Sequence, residues 1–131
     1  MWAHLALAEV QVRALDEAEG ERRGPLLKQA RRACRNAVKQ GETLRFWLPV
    51  ALRVRGMLEW RSGKADAAAR SWARSVAVAE QVGTRYELAL TSLEIGRSLG
   101  RRSDLERAAT IFEEVGAAPA LAEARRLLAA R

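Results

Sequence analysis

RGMLEWRSGKADAAARSWARS, residues 55–75, decides how the chain is read. Gly63-Lys64 stands between two tryptophans and two stretches of helical periodicity, a place suited either to a phosphate-binding loop or to a turn between packed helices. A phosphate loop requires a glycine, four residues and then Gly-Lys-Ser/Thr, so that backbone N–H groups wrap the phosphates and a hydroxyl meets magnesium. Here Ala65 replaces the hydroxyl, Gly56 lies seven residues before Gly63 rather than five, and the preceding residues do not alternate as a strand does. Ser62-Gly63-Lys64 therefore reads as a turn joining two helices.

The same periodicity runs outward to both ends, and no segment alternates apolar and polar beside β-branched residues. The chain is expected to be all-α. Thr84-x-x-Glu87 and Ser103-x-x-Glu106 have the form of capping boxes, Gly41, Gly83 and Gly116 follow helical patterns as C-terminal stops, and Pro25 and Pro119 suit first turns. These marks predict seven helices near 2–18, 25–40, 44–61, 65–82, 85–99, 104–115 and 119–130. Pro49 favours a later start for the third, near Leu48. Short connections make successive helices antiparallel neighbours, so hairpins over 2–40, 44–82 and 85–115 with a capping helix at 119–130 form one expected domain.

Composition narrows the function classes. The 131 residues are 49% apolar and 30% charged with 3 prolines and 9 glycines, which excludes a disordered chain, and no run reaches the ~20 apolar residues of a membrane span. The first residues lack the basic flank and cleavage site of a signal peptide, so a cytoplasmic location is expected. Cys34, the sole cysteine, allows no internal disulfide and fits a reducing compartment. The net charge of +7 comes from 23 basic and 16 acidic residues, and 20 of the basic ones are arginine. Such a surplus attracts anions. In an alanine-rich, arginine-rich chain a solvated surface is the plainer reading, with nucleic-acid binding as the alternative.

Gly56, Ala68 and Trp72 recur as Gly96, Ala108 and Phe112, each 40 positions later. A shared offset at three unlike residue types indicates a repeated hairpin. Small residues let two helix backbones approach, and the ring fills the space beside the contact.

Gly56, Gly63, Ala68, Trp72 and Ser75 have spacings that resemble the tetratricopeptide repeat, and Ile95, Gly96, Leu99, Ala108 and Phe112 repeat the pattern. Arg55 and Glu59 stand where that family has Leu and Tyr; their fourth-neighbour spacing suits an ion pair instead. Residues 41–131 look like the C-terminal helical-repeat region of large bacterial signalling proteins, in which a Ser/Thr kinase or adenylyl cyclase domain is joined to an AAA-type ATPase module. The resemblance implies an α-solenoid of antiparallel hairpins, part of a longer chain, serving regulation or protein–protein interaction. It carries over no catalytic residue.

The residues themselves offer little chemistry. His4 is the sole histidine and Cys34 the sole thiol, so no zinc-type cluster or Cys/His nucleophile pair assembles within one chain. Glu113-Glu114 and Asp16-Glu17-Glu19 fall on expected exposed faces, where acids solubilise. No catalytic, metal or cofactor site is expected, and the chain reads as a non-enzyme.

Trp47, Trp60 and Trp72 suggest a stacking platform, but Trp72 shares an apolar stripe with Ala68, Val76 and Ala79 and belongs to the core. Trp60 fits groove and core equally. In stacked hairpins the first helices line a concave face that accepts peptides. In this register Arg53, Met57, Trp60 and Arg61 fall there from one repeat, and Leu93, Arg97 and Arg101 from the next. Their arginines suit carboxylates, so the expected partner is a protein: an acidic segment or adjoining domains of the parent chain. Lys28, Arg32, Arg35 and Lys39 form a basic stripe opposite Ala30, Ala33, Ala37 and Val38, without interleaved aromatics. Apolar residues of the first helix (Trp2, Leu5, Leu7, Val10, Val12, Leu15) spread around its circumference, which predicts burial on two sides, by further repeats before it or by a second copy in a homodimer.

Overall fold

A computed structural model describes residues 2–18 and 20–130, with side chains from Leu5 onward. The expectations for the side chains of Trp2 and His4, and for Glu19, lie outside the described residues. The fold is all-α. Its helices are α1 (Trp2–Ala14), α2 (Arg23–Thr43), α3 (Leu48–Arg61), α4 (Ala65–Val82), α5 (Arg85–Leu99), α6 (Arg102–Val115) and α7 (Ala118–Ala129), with a 3-10 turn at Gly20–Arg22 and no strand among the described residues.

Several boundaries differ from expectation, each for a local reason. α1 stops at Ala14 rather than at 18, because Leu15, Asp16 and Glu17 tighten into bonds to the third residue back. α2 runs past Gly41. That glycine is buried inside the helix without positive φ, and a Cβ there would lie 2.9 Å from the Leu48 Cα, so it serves close approach of α2 and α3 rather than a stop. α3 does begin at Leu48, the later start that Pro49 favours, with Pro49 in its first turn where the missing N–H is harmless. Gly83 and Gly116 do close α4 and α6, at φ of 77° and 76°.

Neither expected capping box forms. Thr84 flanks α5 but makes no side-chain cap bond, and its hydroxyl is buried without a partner. Glu87, which should have reached back, instead accepts a 2.6 Å bond from Arg53 of α3; a charge-assisted bond outcompetes a neutral backbone donor. Ser103 lies inside α6, which starts at Arg102.

Each helix packs on its sequence neighbour. Beyond that, α1 meets α3, α3 meets α5 and α5 meets α7, whereas among the described residues the backbones of α2 and α4, and of α4 and α6, stay apart and these pairs meet through side chains such as Glu42–Arg74 and Glu80–Arg107. The sequence pattern explains this. α2, α4 and α6 each carry one apolar stripe, visible in α2 as buried Ala30, Ala33, Cys34 and Ala37 against an exposed basic face. α3 buries residues around its whole circumference, from Leu48, Ala51 and Leu52 to Val54, Met57 and Leu58, because it is touched by α1, α2, α4 and α5.

Three apolar clusters form the core: one around Val12, Leu15, Val54 and Trp72, one around Leu105, Ile111 and Phe112, with Val76 packed against both, and a small one of Leu48, Leu52 and Val78. Trp72 and Phe112 are fully buried. The repeat is imperfect at its glycines. A Cβ on Gly56 would lie 2.3 Å from the Trp72 Nε1, but one on Gly96 would lie 2.5 Å from Leu105, which stands where the earlier repeat has Ala65. Both glycines admit the following helix; different side chains fill the notch.

Polar groups also lock the hairpins. Ser75 of α4 donates to the Pro49 carbonyl at 2.7 Å, which spends its single proton, so Thr91 of α5 donates to Ser75 Oγ at 2.8 Å. The Trp72 indole donates to the Arg53 carbonyl at 3.1 Å.

Candidate functional site

α1, α3 and α5 leave an open cleft along their shared side. Its wider part, about 450 Å³, is lined by Arg13 and Asp16 at the end of α1, Met57, Trp60 and Arg61 of α3, and Glu94, Arg97 and Ser98 of α5. A narrower part of about 250 Å³ continues past Glu9, Arg53, Leu90 and Leu93. Of the residues expected on a concave face, the structure brings together Arg53, Met57, Trp60, Arg61, Leu93 and Arg97. Arg101 lines neither part, because α5 ends at Leu99 and Gly100 turns the chain at φ 70° before it.

Trp60 takes both of its expected roles. One side packs on buried Trp72, ring centroids 6.1 Å apart, and 37% of the residue stays exposed to the cleft. Trp47 lies elsewhere, with Phe46 and Val50 around a shallow depression beside Thr84 and Glu87, so the three tryptophans form no common platform. Met57 and Leu93 are nearly buried and give the cleft an apolar floor.

Every arginine of the cleft already faces an acid. Arg61 grips Asp16 through two bonds of 2.8 and 3.0 Å, and this guanidinium holds the Asp16 carboxyl below its ordinary range. Arg53 is taken by Glu87, Arg13 by Glu9, and Arg97 by Glu94 at 3.0 Å and Glu123 of α7 at 3.4 Å. The bond from Arg126, with Arg97 adding to it, lowers Glu123 to about 2. The field toward an incoming carboxylate is therefore smaller than the number of arginines implies. The contributions of Glu9, Arg13 and Asp16 escaped sequence reasoning, since the first hairpin carries no repeat marker to set its register.

The acids Glu113 and Glu114 are paired as well. Glu114 pairs with Arg85 at 2.5 Å and Glu113 with Arg125 at 3.8 Å, each bridging two helices at the surface. Arg55 and Glu59 approach to 4.0 Å as their spacing suggests, and buried Ser71 of α4 bonds to both. Among the described residues no group of three or more His, Cys, Asp or Glu is placed to hold a metal ion, and no helix is long and apolar enough to cross a membrane. No protein-family model matches the chain, and no curated protein or solved structure matches it.

Proposed function

We propose that the chain is a tetratricopeptide-like solenoid of three hairpins and a capping helix, a non-enzymatic module that holds a protein segment in the cleft of α1, α3 and α5. The supporting observation is that cleft itself: an apolar floor of Met57 and Leu93, a half-exposed Trp60 braced from behind by Trp72, and a rim of charged side chains. A segment that lays an apolar side chain on Trp60 and exchanges its own carboxylates for Asp16 or Glu94 on the arginines fits this surface. Acidic segments or adjoining domains of a parent signalling protein in the cytoplasm are the partners suggested by the sequence resemblance.

Panning a random-peptide display library against the folded chain carrying Arg31→Glu and Arg35→Glu, which removes charge from the basic face of α2, tests the reading. Enriched peptides should lose binding to Trp60→Ala and Arg97→Glu. Peptides that bind those variants as well as the parent, or a library from which none enriches, would overturn it.

A second reading rests on α1. Leu5, Val12 and Leu15 are buried within the chain, while Leu7 and Val10 remain 49% and 64% exposed on its other side. The two-sided pattern is thus half satisfied, and a second copy of the chain is the proposed cover. Val10→Glu should abolish any self-association seen by sedimentation.

A further inference from the structure

We infer that the outer face of α2, with the cleft between α2 and α3, is a second docking surface, which takes a protein segment rich in Asp and Glu that carries one aliphatic side chain. Three observations converge on it. Lys28, Arg31, Arg32, Arg35 and Lys39 are all exposed, and among the described residues none of them is paired with an acid, in contrast to the arginines of the odd-helix cleft. α2 itself carries a single acid, Glu42, already held by Arg74 at 2.7 Å. Much of the +7 surplus thus stands uncompensated on one helix.

The stripe from Lys28 to Lys39 is about 16 Å long at the helical rise, the span of about five extended residues. Beside it opens a cleft of about 190 Å³, rimmed by Arg31, Arg35, Arg55 and Lys64 and floored by Cys34 and Leu58, which are 2% and 4% exposed. Burial pushes the Cys34 thiol up to about 12, so the floor is neutral and apolar. Glu59, the one acid on the rim, is engaged by Arg55 and Ser71.

An apolar hole ringed by cations asks for an aliphatic side chain flanked by carboxylates. A polynucleotide lacks such a side chain. The surface also carries no aromatic ring on which bases could stack, which is the usual means of holding single strands. The partner chemistry favoured is therefore protein rather than nucleic acid.

The test is fluorescence anisotropy in 150 mM salt with a labelled peptide of a central leucine between acidic residues. Its competitors are the same peptide with alanine at the centre, and a single-stranded and a duplex oligonucleotide. The leucine peptide should bind, and the alanine peptide should bind about tenfold more weakly. Arg31→Glu with Arg35→Glu, and separately Lys28→Glu with Arg32→Glu, should each weaken binding by at least about tenfold. Arg97→Glu, in the odd-helix cleft, should leave it unchanged, so failure here and failure of the proposed function are separable. Equal affinity for the two peptides, no effect of either charge reversal, or an oligonucleotide that binds more tightly than the leucine peptide would each overturn the inference.

Discussion

Arg53 of α3 and Glu87 of α5 meet at 2.6 Å with only 12% and 24% of their side chains exposed, joining the first helices of two successive hairpins. The bond is made at the expense of an N-terminal cap on α5. Glu87→Gln should lower stability by about 1.5–3 kcal/mol, since it weakens a charge-assisted bond that is partly desolvated. Glu9→Gln, whose Arg13 partner is 61% exposed, should change it by less than about 0.5 kcal/mol. Urea unfolding of the two variants separates these outcomes.

The contact of Gly56 with Trp72 predicts an asymmetry between glycines. Gly56→Ala forces a methyl group against the indole and should destabilise by about 1–3 kcal/mol. Gly24→Ala, in α2 with open space around it, should stabilise by about 0.5–1 kcal/mol. Trp72→Ala should cost about 3–5 kcal/mol. Thermal melts that rank Gly56→Ala with Gly24→Ala would contradict the packing described.

Removing the Ser75 hydroxyl takes this hydrogen-bond partner from the buried Thr91 hydroxyl and from the Pro49 carbonyl of α3 at once. Ser75→Ala should destabilise by about 1–3 kcal/mol. Adding Thr91→Val should recover part of the loss, because the stranded hydroxyl is then gone. Additive losses in the double variant would show that the two groups do not interact.

Asp16 gives the fold an acid-dependent contribution. Its folded pKa lies below the ordinary 3.8 because Arg61 donates to the carboxylate. The stabilisation is therefore complete above that value and is lost as pH falls below it through the folded pKa. With the Asp16 side chain 56% exposed, solvent screening holds the gain under about 1 kcal/mol. Asp16→Asn should melt below the parent at pH 7, and the gap should shrink in high salt and close toward pH 2.

Helix content, order and most ends were legible because they rest on periodicity and on single residues with strong backbone preferences, such as Pro49, Pro119, Gly83 and Gly116. The capping boxes were not, since a local pattern cannot reveal that Arg53, 34 residues away in sequence, claims the Glu87 carboxylate. Gly41 misled for the same reason: its role is set by Leu48 on the next helix. Six of the seven expected cleft residues came together because helical spacing from Gly56 and Gly96 fixes which face they share. Arg101 did not, as the turn at Gly100 ends that spacing. The charge state of the cleft was legible only in part: Glu94 lies three residues from Arg97, but Glu87 meets Arg53 across helices, and Asp16 and Glu123 come from outside the repeats that set the register.

Isotope-edited NMR of the chain with a peptide selected on its Arg31→Glu, Arg35→Glu variant tests the central claim most directly. Binding in the odd-helix cleft predicts that the Trp60 indole N–H and the backbone amides of Arg13, Arg97 and Ser98 shift together, while those of Lys28 and Arg32 on α2 stay in place. Shifts centred away from α1, α3 and α5, with the Trp60 indole unmoved, would contradict it.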